Sequence, residues 1–133
     1  MGETIRRLPD AELEVMLVIW EADGPVNSQY VLERIGRRRS WQRGTLLTVL
    51  ARLTEKGFLF CQKQYRNNLY SARVELETYR QSEGRAMFGK LYGNSFENLV
   101  ASFYRGQVIS KEDLSKLRAF LESAEEEEEG EET

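Results

Sequence analysis

Histidine is absent from this chain of 133 residues, and cysteine occurs only once, at Cys61. A zinc or copper site built from His and Cys ligands therefore cannot be assembled within one chain. Ser–His and Cys–His nucleophilic catalysis is excluded for the same reason. The sequence also offers no acid–base pair or phosphate-binding loop. We therefore expect no metal site and no cofactor, and a function other than catalysis.

Long apolar runs are also missing. The longest one covers residues 15–20, far fewer than the roughly 20 residues that a membrane span needs. The first six residues do not have the apolar segment of a signal peptide. A single cysteine cannot form an internal disulfide, and the strand-like surroundings of Cys61 predict a place in the core. These features predict a cytoplasmic protein without membrane insertion.

The net charge of −3 conceals a strong segregation of charge along the chain. Residues 125–133 contain seven acidic residues and no basic residue. Residues 34–66 contain nine basic residues and one acidic residue, Glu55, whereas residues 75–124 contain seven of each. A segment as basic as 34–66 is typical of a nucleic-acid-binding surface, and a merely solvated basic face is the alternative.

Apolar periodicity predicts three helices over residues 10–22, 28–37 and 43–56, with Ser28 as the N-cap of the second. In the first helix the expected apolar stripe is Leu13, Met16, Leu17 and Trp20, with Glu12, Glu14 and Glu21 in solvent. In the third helix the stripe is Leu46, Val49, Leu50 and Leu53, and Gly57 ends the helix. Residues 58–65 and 69–74 have strand composition, with a turn at 66–68. Val26 is placed to form a short strand or a staple.

This order predicts a mostly α-helical protein with a small β-hairpin, in which a winged helix-turn-helix DNA-binding domain occupies residues 1–74. Residues 75–124 predict a helical dimerisation domain, with helices at about 75–92, 95–104 and 111–124, the last with Ser110 as N-cap. The acidic tail at 125–133 is expected to be disordered or a frayed helix. Three short helices would expose much apolar surface in a monomer, which favours a homodimer. Folding of these helices back onto the first domain is the alternative.

The third helix has the features of a recognition helix, because small and polar residues fill its first turns opposite a buried stripe. An ordinary amphipathic surface helix remains the alternative. The basic hairpin tip suits contact with phosphates or the minor groove. The predicted DNA-binding residues are Arg43, Gly44, Thr45, Leu47, Thr48, Arg52, Lys63, Arg66 and Asn67. The predicted dimerisation residues are Met87, Phe88, Leu91, Phe96, Leu99, Val100, Phe103, Leu114, Leu117, Phe120 and Leu121.

Three stretches carry a resemblance to a known family. Residues 8–16 with Ile19-Trp20 resemble the opening of the penicillinase and methicillin-resistance repressors, a family that also includes copper-responsive repressors. Residues 45–57 resemble the family's recognition helix. Its dimerisation segment is resembled by Leu91-Tyr92-Gly93, by Leu99-Val100 with Phe103, and by residues 114–121. The resemblance implies a dimeric transcriptional repressor that binds double-stranded DNA at a palindromic site.

The departures from the family pattern bear on recognition and induction. Family members often carry Lys or another polar residue where this chain has Gly44 and Leu47, so the resemblance does not imply the operator sequence. In antibiotic-responsive members, a regulatory protease cuts between Asn and Phe. Ser102-Phe103 matches that position with Ser in place of Asn, and is the candidate cleavage position. The copper-responsive members have paired C-terminal cysteines, and the glutamates in their place here argue against copper sensing.

Two further functions compete with that of a repressor. A winged helix can serve as a protein–protein interaction module, in which case its basic face would not be needed for binding. It can also form a ligand-sensing regulator with an effector pocket between domains. We take the dimeric repressor that binds a palindromic operator through helix 43–56 and wing 63–68 as the leading hypothesis.

Overall fold

The computed structural model describes residues 5–132, with side chains through residue 130, and it confirms a mostly helical chain with one β-hairpin. The elements in chain order are α1 (Asp10–Glu21), α2 (Ser28–Ile35), α3 (Arg43–Glu55), β1 (Leu59–Gln64), β2 (Asn67–Ala72), α4 (Leu76–Tyr92), α5 (Phe96–Arg105) and α6 (Lys111–Glu132). Residues 1–4 of the predicted first domain and residue 133 of the acidic tail lie outside this range.

The chain divides into two compact units, Met1–Gly84 and Arg85–Thr133. The predicted division lies after residue 74. The first unit continues to Gly84 because the beginning of α4 packs on the core through Tyr79, which is buried. The Tyr79 hydroxyl accepts a hydrogen bond from the Leu8 amide at 2.9 Å, and its ring lies 5.9 Å from that of Phe58. Burial raises the pKa of this phenol, so it stays protonated.

Helix α1 is rotated relative to the prediction. Its buried residues are Glu12, Val15, Met16 and Ile19, while Leu17 is exposed and Leu13 and Trp20 are half-buried. Leu13 and Trp20 pack against the core as partly buried residues and Met16 is fully buried, so of the predicted stripe only Leu17 was wrong. Residues 13 and 15–20 are all apolar, so hydrophobicity alone leaves the rotation of this helix undetermined.

The ends of α2 and α3 follow standard capping chemistry. The Asn27 side chain accepts a hydrogen bond from the Tyr30 amide at 2.8 Å, so Asn27 is the N-cap and Ser28 is already helical. The prediction of Ser28 as the cap was wrong by one residue. Gly57 has φ +85, and the Phe58 amide donates to the Leu53 carbonyl at 2.9 Å, as in a Schellman motif. The predicted glycine stop of α3 is confirmed.

The hairpin pairs β1 and β2 antiparallel, with Gln64 opposite Asn67 and Cys61 opposite Tyr70. The loop is therefore Tyr65-Arg66, and the turn predicted at residues 66–68 was displaced, because Asn67 and Asn68 pair within the sheet. Only the first residue of β1 is buried, so Cys61 is exposed beyond the end of the core. The prediction of a core position for Cys61 was wrong.

Val26 adds a third short segment to the hairpin. Its amide donates to the Tyr70 carbonyl at 3.0 Å, and the Tyr70 amide donates to the Val26 carbonyl at 2.7 Å. This isolated bridge confirms the predicted short strand before α2. The wing is therefore hydrogen-bonded to the loop that precedes the helix-turn-helix.

The second unit consists of the end of α4, α5 and α6. The rings of Tyr92 and Phe103 pack edge to face at 6.2 Å between centroids. Ser95 caps α5, and Ser110 caps α6 by accepting from the Asp113 amide at 3.1 Å, as predicted for Ser110. Helix α6 continues to Glu132, so the acidic residues up to that point are helical.

Candidate nucleic-acid interface

Helix α3 has one face fixed in the core. Leu46, Leu50 and Leu53 are completely buried, and Val49 is 7% exposed. This confirms all four residues of the predicted stripe. Since the burial of this stripe sets the rotation of the helix, the opposite face of α3 must point to solvent.

Gly44, Thr48 and Ala51 form the outward stripe of α3, since their spacings of four and three place them on one helical face. Arg43, Thr45, Leu47 and Arg52 flank this stripe and are exposed as well. All six predicted α3 residues are therefore accessible to a ligand. Ala51 is not among the predicted DNA-binding residues, although its position between Thr48 and Glu55 on the polar side of the helix could have indicated it.

The two threonines differ in their hydrogen bonding. The Thr48 hydroxyl donates to the Gly44 carbonyl at 3.1 Å, so its remaining capacity is that of an acceptor. The Thr45 hydroxyl has no such bond to another group within residues 5–130, so it can both donate and accept. Thr45 is thus suited to a phosphate oxygen, whereas Thr48 is suited to an amino group on a base edge.

The three predicted wing residues are all exposed, but they do not share one face. Lys63 lies opposite Asn68, and Gln64 lies opposite Asn67. Because successive strand residues point to opposite faces, Lys63 and Asn67 project from different sides of the hairpin. Arg66 lies between them in the loop. A hairpin that enters a groove tip first would present both sides to the groove walls.

Not all of the basic residues in 34–66 are available to a ligand. Arg39 pairs with Glu14, and the Lys56 amine lies 2.8 Å from a Glu12 carboxylate oxygen. The Arg34 guanidinium lies over the Tyr30 ring at 3.3 Å from its centroid. By contrast, the four basic residues among the predicted DNA-binding residues form no ion pair within the side chains described. They are Arg43, Arg52, Lys63 and Arg66.

The Glu12–Lys56 ion pair corrects the expectation that these carboxylates lie in solvent. Glu12 is 5% exposed and joins α1 to the residue that follows α3, and Glu14 is also paired. Glu21 is exposed, as expected. Glu12 lies three, four and seven residues before Val15, Met16 and Ile19, so a different choice of stripe would have placed it on the buried face. A buried carboxylate requires a partner of opposite charge, and Lys56 provides it.

The predicted dimerisation residues form a partly exposed apolar set on the second unit. Met87, Leu91, Phe96, Phe120 and Leu121 are exposed, and Phe88, Leu99, Val100, Phe103, Leu114 and Leu117 are half-buried. None of the described side chains from residue 85 onward is fully buried. That these residues contact a second chain stays a prediction.

The candidate cleavage position lies inside α5. The Ser102 carbonyl accepts from the Gly106 amide at 2.9 Å, and the Phe103 carbonyl accepts from the Val108 amide at 2.8 Å. A protease that binds its substrate as an extended strand would have to open this turn first. Cleavage of the Ser102–Phe103 bond stays a prediction.

Across residues 5–132, no helix is long and apolar enough to cross a membrane.

Comparison with known proteins places this arrangement in a family. The penicillinase repressor family model matches residues 8–123. The chain is 29% identical to the penicillinase repressor of Bacillus licheniformis over 118 residues, which is 89% of this chain and 91% of that protein. It is 28% identical to the methicillin resistance regulatory protein MecI of Mammaliicoccus sciuri over 121 residues, 91% of this chain and 98% of that protein.

A solved structure extends the likeness to the fold. The solution structure of the DNA-binding domain of the repressor BlaI matches with a TM-score of 0.50 and 33% sequence identity. The match covers 59% of this chain and 94% of that domain. The winged-helix fold is thereby confirmed. The chain belongs to the penicillinase repressor family of winged-helix transcriptional repressors.

Proposed function

We propose that this protein is a homodimeric repressor that binds a palindromic operator through the outward face of α3 and the wing. The observation that carries the proposal is Gly44. A Cβ at this position would meet no atom within 4 Å, so the fold itself does not require glycine there. Gly44 is the second residue of α3 and lies in its exposed first turn. The absence of a side chain at Gly44 leaves the first turn of α3 open to close approach by a ligand.

The neighbours of Gly44 suit the floor of a major groove. Thr48 and Ala51 continue the stripe with small side chains, and Leu47, which is 38% exposed, offers an apolar surface for a thymine methyl group. Thr45 and Arg52 lie on one flank at a spacing of seven residues, where both can reach the same phosphate strand. In this arrangement α3 reads the bases and its flanks hold the backbone.

The wing adds contacts outside the major groove. Lys63 and Arg66 neutralise phosphates, and the Asn67 amide can donate to or accept from base edges or sugars. Each phosphate neutralised adds about 0.9 to the slope of log K against log salt concentration on duplex DNA. The affinity of the protein for DNA should therefore fall steeply as salt increases.

The second unit supplies the two-fold symmetry in this proposal. Leu91 and Phe120 expose 72% and 66% of their surface to water, as expected for side chains that contact another protein surface. An isologous interface would pair the same apolar faces of two chains. Two recognition helices roughly 34–36 Å apart would then read two half-sites of a palindrome.

The test uses Thr45→Ala combined with Thr48→Ala, and a duplex that the wild-type protein selects from a random-sequence pool. We expect the double variant to lose footprinting on this duplex while it sediments as the wild type does. Each lost base or phosphate contact should cost about 1–3 kcal/mol of binding free energy. Unchanged footprinting would refute the assignment of α3.

Thr54→Ala is the matched control for this experiment. Thr54 lies on the same helix and its hydroxyl also donates to the carbonyl four residues earlier, at 2.8 Å. It is half-buried, away from the outward stripe. A loss of binding that is equal in the control would mean that threonine removal disturbs the helix and not the interface.

A further inference from the structure

Tyr65 lies at the tip of the wing, and both its backbone conformation and its exposure are unusual. It is the first of the two residues between β1 and β2, and its backbone has φ 54. The residue has a relative exposure of 106%, the highest among the exposed large hydrophobic residues that the structure describes. Its hydroxyl and ring make no hydrogen bond or ring contact with other groups within residues 5–130.

The positive φ and the full exposure of the ring are both unfavourable for the isolated chain. A positive φ is sterically disfavoured for a residue with a Cβ, and glycine is the usual residue at such hairpin positions. An aromatic ring that lies wholly in water gains no burial of its apolar surface. An outlier of this kind indicates function when the fold does not benefit from it.

The surroundings of Tyr65 indicate what its ring can contact. Arg66 follows it, Lys63 and Gln64 precede it, and Asn67 lies next along the chain, so its neighbours in sequence are cations and amides. Cations and amides bind the phosphates and the base edges along a DNA groove. An apolar side chain among them can pack on deoxyribose or at a base step, as the wedges of minor-groove proteins do.

We propose that the Tyr65 ring enters a groove of duplex DNA and packs on sugar or base, at the position where the wing meets the DNA. The contact adds affinity that does not depend on salt, in contrast to the ionic contacts of Lys63 and Arg66. This inference rests on the proposed function, since it requires that the wing lies on duplex DNA.

The test compares Tyr65→Gly and Tyr65→Phe with the wild-type protein on the duplex it selects from a random-sequence pool. Glycine adopts φ 54 without strain, so the melting temperature of Tyr65→Gly should equal or exceed that of the wild type. Its Kd, measured by fluorescence anisotropy, should rise about tenfold at every salt concentration. Tyr65→Phe should keep the wild-type Kd within about twofold, because it keeps the ring.

Arg66→Ala is the matched control in the same loop. It should lower the salt slope by about 0.9, whereas Tyr65→Gly should leave the slope unchanged. Duplexes shortened from their ends should remove the difference between Tyr65→Gly and the wild type once the base pairs under the wing are gone.

Three results would overturn the inference while the proposed function stands. They are a wild-type Kd for Tyr65→Gly, a reduced salt slope for that variant, or an equal loss in Tyr65→Phe. In the last case the hydroxyl and not the ring would make the contact. If the wild-type protein binds no duplex in a salt-dependent way, the proposed function itself fails, and the wing tip serves a protein surface or none.

Discussion

The two units of the chain differ in how they use apolar residues. In the first unit, side chains from α1, α2, α3, β1 and the beginning of α4 close around a common core, and several of them are completely buried. In the second unit, apolar residues are as regularly spaced along the helices, yet none of the described side chains is fully buried. The first unit buries most of its apolar side chains in its own core, whereas the second unit leaves its apolar side chains exposed or half-buried. Three experiments would test this contrast.

The largest expected effect is on the core of the first unit. Leu50→Ala removes a side chain with no exposed surface, so the free energy of unfolding should fall by about 2–5 kcal/mol. Urea unfolding followed by circular dichroism measures this loss, which should not depend on protein concentration. Leu47→Ala is the matched control, because it is the same change on the exposed side of the same helix, and it should cost under about 0.5 kcal/mol. Equal losses in both variants would contradict the orientation of α3.

A smaller effect is expected when the second unit is changed. Phe120→Asp places a charge in the exposed apolar set, so the proposed dimer should weaken by about tenfold or more. Sedimentation equilibrium measures the dimer, and the melting temperature of the variant should no longer depend on concentration. Phe60→Asp, at an aromatic residue 54% exposed on the first unit, should leave the dimer intact. If the dimer of Phe120→Asp has the same dissociation constant as the wild-type dimer, Phe120 does not lie in the interface.

The smallest effect concerns the caps of helices in the two units. Hydrogen bonds from the Ser110 amide and hydroxyl lower the pKa of Asp113 at the start of α6. Because the pKa of Asp113 is lower in the folded chain than in the unfolded chain, its carboxylate stabilises the helix at pH values above the unfolded-state pKa. This stabilisation is lost as the pH falls through the folded-state pKa. The Asp113 carboxyl carbon should therefore titrate by NMR below the usual range for aspartate, about 3.9.

The cap of α2 in the first unit provides the comparison for Asp113. Asn27 makes its cap with an amide, which does not titrate, so acid should weaken the start of α6 before the start of α2. Asp113→Asn should remove the part of this acid dependence that comes from the cap. An Asp113 titration at its ordinary value would contradict the capping geometry.

The sequence was most informative where polar and apolar residues alternate clearly around a helix. In α3 four apolar residues at helical spacing are surrounded by Gly, Thr and Arg, so only one rotation buries the stripe, and the exposed candidates followed from it. The glycine stop at Gly57 was equally clear, because no other residue there adopts a positive φ without strain. The composition of the hairpin also predicted its two strands.

The errors arose where several solutions satisfy the same local rule. Helix α1 is apolar on nearly every side, so its rotation depends on packing against α2, α3 and β2, which the sequence does not display. Burial of Glu12 depends in turn on Lys56, 44 residues away in the chain. Asn67 and Asn68 favour turns, but the burial of Leu59 and Tyr70 sets the strand register and places both asparagines within the sheet.

The bridge between Val26 and Tyr70 determines how the hairpin can move. Its two hydrogen bonds hold the base of the hairpin, whereas no comparable tie reaches the tip among the residues described. The amides of these two residues should exchange with solvent deuterium at rates close to those of the core, and the amides near the loop much faster. A hairpin fixed at one end and compliant at the other can adjust to grooves of different width without disturbing the helix beside it.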